Sequence, residues 1–289
     1  MSRTFYVNGE FVPEADAKIS VLDRGFLFAD AVYEVSTVLD GKLIDNNAHM
    51  VRLHRSLAEL EMAPPIPDEQ ILAAQERLVE LNEVTEGLVY LQVSRGVADR
   101  DFAYPVAGES SLVMFTQEKN LLASPLAESG IDIITLPDIR WQRRDIKTVG
   151  LLGPCMAKQA ASKAGVHDAW MVEDGYVTEG TSNNAYIVRK DGTIQTRHLG
   201  SEILSGITRT AVLQISRQTN HAVLEQAFTV EEAKQASEAF ITSASTFVMP
   251  VVSIDGAPVG DGKPGPLTKE LRRLYIEIAR ERQQFDVPA

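Results

Sequence analysis

The 289 residues, 44% of them hydrophobic, suffice for one large domain or two ordinary ones, each with its own core, and argue against a disordered chain or a small stapled scaffold. With 28 Lys and Arg against 40 Asp and Glu the net charge is −12, which argues against a protein that binds nucleic acid by coating its phosphates with positive charge. The one cysteine, Cys155, closes no internal disulfide, and the five histidines (His49, His54, His167, His198, His221) show no zinc-ligand spacing, so no metal is expected.

The opening MSRTFYVNGEFV lacks the apolar stretch of a signal peptide, and no apolar run approaches the ~20 residues that span a bilayer. A cytoplasmic location is therefore expected. Alternation around Asn8-Gly9, and again around Asp40-Gly41, predicts two hairpins, because these dipeptides supply the positive φ of tight turns. Between them LDRGFLFADAVYE has the small and aromatic residues of a closely packed chain. From Asn47 the period changes: Met50, Leu53, Leu57 and Leu60 share one helical face, with Arg52 and Arg55 off it. Pro64, Pro65 and Pro67 stop that helix. A second helix is expected over Asp68–Leu81, then strands over 88–94 and 111–116.

Gln117–Ser129 is polar and lacks a sustained period, which predicts a linker, set at 119–129, between an α+β domain at 1–118 and a larger domain at 130–289. The second half opens with a strand, IDIITL, followed by the polar IRWQRRDIKTVGLLGP. A helix from about Met156 to Ala164 precedes strands AWMVE and AYIVR, bounded by Asp174-Gly175 and Asp191-Gly192. Ser205-Gly206 opens a helix, and Thr229 with Glu232 forms a capping box opening another. Strands at AFITS and VVSIDG and a terminal amphipathic helix over about Gly265–Gln283 complete a strand-rich α/β half.

The phosphate-loop, dinucleotide, HExxH and GxSxG signatures are all absent. Attention therefore falls on lysine. Lys147, in DIKTVGLLGP, adjoins an apolar, glycine-containing run. A desolvated lysine gives up its proton more readily, as attack on a carbonyl requires, yet the same placement suits a surface lysine lying its stem along apolar neighbours. In VTEGTSNNAYIV, Glu179 follows a strand end and precedes Thr181, Ser182, Asn183 and Asn184. A carboxylate there can hold a protonated ring nitrogen, or the segment is an ordinary polar turn. In LSGITRT the helix after Gly206 can present free amides to an anion, or be capped in the usual way.

Glu179 through Asn184-Ala185-Tyr186, Ile194-x-Thr196 and Leu204-x-Gly206-Ile207-x-Arg209 resemble, in that order, the signature of class IV pyridoxal-phosphate (PLP) aminotransferases. DIKTVGLLGPCMAKQAA resembles the segment that carries their Schiff-base lysine; RGFLFADAVYEV, HMVRLHRSL and VSRGVADRD resemble three others. The resemblance runs from about Phe5 to Asp261 and is strongest to D-amino-acid transaminases.

It implies a two-domain fold-type IV architecture of α/β (α+β) class, a homodimer, and transfer of an amino group from a D-alanine-like donor to a 2-oxo acid by a ping-pong route. Alternatives of the same fold are branched-chain L-amino-acid and (R)-amine transaminases, an aminodeoxychorismate lyase, or a non-catalytic PLP-binding protein. Lys147 would carry PLP and then act as base. Glu179 would pair with the ring nitrogen. Arg52, otherwise a solvated charge on its helix, would hold the phosphate together with the amides of Ile207 and Thr208. The implied cofactor set also includes Ser182, Leu204, Ser243 and Ala244, although Ala244 stands where the family has a hydroxyl. The substrate carboxylate would be held by Tyr33 and Arg100, the latter otherwise a surface ion-pairing arginine. Phe102 replaces the histidine that supplies a third donor. Either Arg100 holds the carboxylate more loosely, or the pocket favours less polar amines.

Overall fold

In the computed structural model, which describes residues 3–106, 108–282 and 285, the chain forms two compact units. The first comprises the residues through Asn120 together with Ile146–Gly150. Its opening hairpin pairs β1 (Thr4–Val7) with β2 (Glu10–Pro13), and Asn8 and Gly9 take φ of 48° and 100° at the turn. A five-residue helix, α1 (Arg24–Phe28), is capped by the Asp23 carboxylate, which accepts from the Gly25 amide; it is too short for any period to announce it. Then β3 (Ala31–Leu39) turns through Asp40-Gly41 into β4 (Lys42–Ile44), as expected. The helices α2 (Asn46–Glu59) and α3 (Asp68–Leu81) are followed by β5 (Glu86–Ser94) and β6 (Ser111–Glu118).

These six strands make one antiparallel sheet in the order β2-β1-β6-β5-β3-β4. Met50, Leu53 and Leu57 of α2, and Ile71, Ala74 and Leu78 of α3, form one core with Val32, Leu91, Val93 and Met114. The apolar stripe that the spacing predicts on α2 is thus its packing face.

Because β4 pairs only with Thr37–Leu39, the beginning of β3 has an open edge. Ile146–Gly150 fills it. The Tyr33 amide donates to the Lys147 carbonyl (3.0 Å) and the Val149 amide to the Ala31 carbonyl (3.1 Å), with Thr148 opposite Val32 in an antiparallel bridge. The expected domain at 130–289 is corrected here: Lys147 belongs to the first unit, through a β-bridge that local periodicity does not encode.

The second unit comprises Leu121–Asp145 and the residues from Leu151 onward. The stretch expected as a linker contains a short helix, α4 (Pro125–Ser129), with proline in its first turn. After it come β7 (Ile131–Pro137), α5 (Leu152–Lys163), β8 (Asp168–Glu173), β9 (Tyr176–Gly180), β10 (Asn184–Val188) and β11 (Ile194–Thr196). Next are α6 (Ile207–Gln218), β12 (Val223–Glu225) and α7 (Val230–Lys234), whose capping box joins Thr229 and Glu232 in both directions. The unit closes with β13 (Glu238–Ser243), β14 (Phe247–Ile254), β15 (Ala257–Pro258) and α8 (Pro266–Arg282). The expected helix end at Gln283 lies outside the described residues.

The second sheet is mixed, in the order β12-β11-β10-β13-β14-β7-β8-β9, with β15 on β14. Parallel pairs join β7 to β8 and to β14. Its core includes Ile133, Trp170, Val177, Ile187, Phe228, Ile241 and Val251. The five-residue β10 is buried along its whole length, which suits a central strand carrying a run of apolar residues. The α+β reading of the whole chain therefore holds.

Candidate active site

In the first unit the alternation of β3 sends Tyr33 and Glu34 to opposite faces. On the Glu34 side stands α2, whose His49 and Arg52, three residues apart, share a helical face. Arg52 donates to Glu34 from Nε (2.8 Å) and Nη2 (2.6 Å), and His49 Nδ1 lies 2.7 Å from the same carboxylate. Arg52 is only 8% exposed, which removes the solvated-face reading. Burial alone would push the Glu34 carboxyl up; the charge and hydrogen bonds of Arg52, joined by His49, outweigh it and hold the group at about 2. Burial also lowers the His49 imidazole, against the raising influence of Glu34.

On the opposite face Tyr33 stacks on Tyr90 (5.5 Å between ring centroids), Tyr90 on Phe115 (4.8 Å), and Phe115 on Phe5 (5.3 Å). This ladder crosses four strands through neighbouring side-chain positions. Lys147 is half-buried at its end, its ammonium 4.2 Å from the centroid of the Tyr33 ring. Its amide donates to Ser56 Oγ of α2 at 3.4 Å. Lys147 is thus held at backbone and side chain, unlike a lysine that only trails along the surface.

Arg100 and Phe102 lie in the loop after β5. The Arg100 guanidinium carbon is 5.3 Å from the Phe28 ring and 5.5 Å from the Phe102 ring, and the two rings are 5.6 Å apart. The structure thus pairs Tyr33 with Lys147 and Arg100 with Phe102. Among the described residues no hydrogen bond or ring contact joins the two pairs.

In the second unit Glu179 is inside β9, not beyond a strand end, and is 5% exposed. The polar turn begins two residues later than expected, after Gly180. Arg140 donates to Glu179 Oε1, while Oε2 accepts from Asn184 Nδ2 (3.0 Å) and the Leu204 amide (3.1 Å). Burial raises the Glu179 carboxyl above its ordinary value despite the opposing charge of Arg140. Asn184 also donates to the Leu204 carbonyl at 2.9 Å, joining β10 to the approach of α6.

Gly206 caps α6 and, having no side chain, makes no cap hydrogen bond to the helix's first turn, where the amides of Ile207 and Thr208 lie. A Cβ at Gly206 would fall 2.1 Å from Asn184 Oδ1, so only glycine lets backbone and amide come so close. Ser182 is exposed in the turn before β10. Ser243 ends β13, and its hydroxyl lies 2.7 Å from Thr246 Oγ1 and 3.3 Å from Ser245 Oγ. Hydroxyls thus surround the position where Ala244 has none.

Three participants receive no role from the sequence: Glu34 and His49, which lie within two of the resembling segments, and Arg140, which lies outside them. The first two could have been found by combining β3 alternation with the three-residue spacing of His49 and Arg52. Arg140 could not, because its partner Glu179 is 39 residues away.

The pattern of the class IV amino-transferases matches residues 31–254. This chain belongs to the class IV aminotransferases. A D-alanine aminotransferase of Staphylococcus aureus (strain COL) is 39% identical over 276 residues, 94% of this chain and 97% of that protein. One from Bacillus licheniformis is 38% identical over 92% of this chain and 93% of that protein. Among solved structures, a T.th. branched-chain amino acid aminotransferase with pyridoxamine 5'-phosphate superimposes with a TM-score of 0.89 at 26% identity, covering 98% of this chain and 95% of that one. The Escherichia coli branched-chain enzyme does so at 0.91 and 22% identity, over 99% and 97% of the two chains, and shares the fold. No described helix of this class IV aminotransferase is long and apolar enough to cross a membrane.

Proposed function

We propose that this PLP-dependent aminotransferase moves the amino group of a D-alanine-like D-amino acid to a 2-oxo acid in two half-reactions. The observation that carries this reading is the 38–39% identity to D-alanine aminotransferases along more than nine-tenths of the chain. The branched-chain and (R)-amine alternatives share the cofactor machinery, and the structural likeness to branched-chain enzymes lies at 22–26% identity.

The donor set fits the cofactor. A carboxylate offers about four acceptor positions, and Glu179 uses three of them on Arg140, Asn184 and Leu204, which leaves one for a protonated ring nitrogen. The amides of Ile207 and Thr208 suit a phosphate, and Arg52 adds a cation whose orientation Glu34 fixes. Leu204 serves by fixing Glu179, and Ser182, Ser243 and the Ala244 backbone complete the proposed set.

When bound, PLP supplies an electron sink that makes the substrate Cα proton removable. Lys147 Nζ would hold the cofactor and would act as the base that moves the proton between substrate Cα and cofactor C4′. Glu179 keeps the ring nitrogen protonated. Tyr33 and Arg100 bind the substrate carboxylate, and Phe102 contributes a ring where a donor would otherwise stand.

The same reading makes the molecule a cytoplasmic homodimer. The exposed Val21, Leu22, Phe26 and Val97 support an assembly surface, since the segments that carry them run side by side: Ala98 donates to the Leu22 carbonyl and Asp23 bridges Val97. Light scattering tests the dimer, and fractionation the location.

Half-reaction spectra with D-alanine, L-leucine and an (R)-arylamine test the activity. D-alanine is expected to convert the bound aldehyde to the amine form with release of pyruvate; conversion by L-leucine alone would overturn the D-specific reading. Borohydride is expected to fix the cofactor on the peptide containing Lys147, and labelling of another peptide would refute that assignment.

A further inference from the structure

The Arg140 guanidinium is shared between two carboxylates, and unequally. Its Nε and Nη2 edge forks onto Asp138, Nε to Oδ1 at 3.0 Å and Nη2 to Oδ2 at 2.7 Å. Only Nη1 reaches Glu179. The Asp138 side chain is fully buried at the end of β7, where its amide extends the pairing with β8 by donating to the Val172 carbonyl at 2.8 Å. Thr178, the residue before Glu179, donates to Asp138 Oδ2 at 2.7 Å, and Arg144 Nη1 lies 3.4 Å from that oxygen while forking onto Glu173 at 2.8 Å. Two guanidinium groups, Arg140 and Arg144, thus face three carboxylates: Asp138, Glu173 and Glu179. One negative charge remains unmatched in this network.

A guanidinium prefers to meet a carboxylate through two parallel donors. Freed from Asp138, Arg140 would fork onto Glu179 and fill its last acceptor position. With its Nε and Nη2 edge turned to Asp138, it gives Glu179 a single donor, Nη1. We propose that Asp138 is a positioning residue: by holding the far edge of Arg140 it keeps one acceptor position of Glu179 open, and one charge unmatched, for the protonated ring nitrogen of the cofactor. This rests on the assignment of Glu179 to that nitrogen.

The test is a double-mutant cycle in the full-length protein, with Asp138→Asn and Glu179→Gln, read as the dissociation constant of PLP titrated into the apoenzyme. The thermal midpoint of each apo form is measured in parallel. Asp138→Asn is expected to weaken PLP binding about tenfold in the otherwise native chain, and less than about twofold when Glu179→Gln is already present. Equal weakening in both backgrounds, or none in the native one, would overturn the proposal, since Asp138 would then act on the fold or not at all. If Glu179→Gln alone left PLP affinity unchanged, the proposal would fall together with the Glu179 assignment, and that single variant would identify which had failed. If Asp138→Asn does not fold, Thr178→Val, which removes one donor to Asp138, takes its place in the same cycle with the same two deciding outcomes.

Discussion

The Lys147 ammonium lies 4.2 Å from the centre of the Tyr33 ring, and the backbones of the same two residues are hydrogen-bonded at 3.0 Å. The residue proposed to carry the cofactor and one proposed to meet the substrate carboxylate are therefore fixed to each other twice. Replacing Lys147 by Ala is expected to abolish turnover and the yellow colour, with far-ultraviolet circular dichroism unchanged, because Tyr33 still bonds the backbone at 147. Tyr33→Phe keeps the ring over the ammonium and is expected to raise KM for D-alanine more than it lowers kcat.

Acid sensitivity should concentrate at Glu34. Its folded carboxyl titrates at about 2 rather than 4.5, so the folded state binds fewer protons than the unfolded chain between those values. The stabilisation, roughly 3 kcal/mol, is complete above pH 4.5 and is lost as pH falls toward 2. Glu34→Gln is expected to lower stability at pH 7 and to flatten the dependence of the urea midpoint on pH in that range. An unchanged slope would assign the acid limb to other carboxylates. Glu179 works in the opposite sense: its raised carboxyl favours the fold as pH falls, and Glu179→Gln removes that dependence.

Phe102 stands where a histidine donor was expected from the family resemblance, and with Phe28 it flanks the Arg100 guanidinium at 5.5 and 5.3 Å. Such contacts are worth about 0.5–1 kcal/mol at exposed sites. Phe102→Ala is expected to raise KM for D-alanine by roughly two- to fivefold with kcat nearly unchanged. Phe102→His restores a donor and should lower KM for carboxylate-bearing donors while leaving (R)-arylamines unaffected. Steady-state kinetics across a donor panel measures both.

Gly206 has a φ of −70°, open to any residue, so its requirement for glycine comes from the 2.1 Å approach to Asn184 Oδ1. Gly206→Ala should displace Asn184 from Glu179 and from the Leu204 carbonyl. A loss of about 1–2 kcal/mol is expected, measurable as a lower thermal midpoint together with weaker PLP retention on dialysis.

Much of this molecule is legible in its sequence because the signals are local. Asn8-Gly9 and Asp40-Gly41 close hairpins by their own φ preferences, Met50, Leu53 and Leu57 set the inward face of α2, and Thr229 with Glu232 opens α7. Lys147 and Glu179 stand out through motif resemblance. What escapes is every relationship carried by distant pairing. Arg52 reads as a surface charge until β3 brings Glu34 against it, and Arg140 is one arginine among several in IRWQRRD until β9 supplies Glu179. The strand character of Glu179 itself was hidden by the small polar residues that follow it.

The bridge between Thr148 and Val32 has a practical consequence for dissecting the chain. A fragment ending at Asn120 would contain all six strands of the first sheet and both of its longer helices, yet not the segment that covers the start of β3. The carbonyl of Ala31 and the amide of Tyr33 would face solvent beside the buried Val32, a bare strand margin ready to pair with another copy. Truncation at the apparent boundary should therefore yield material prone to self-association, and adding a peptide spanning 146–150 in trans should suppress it.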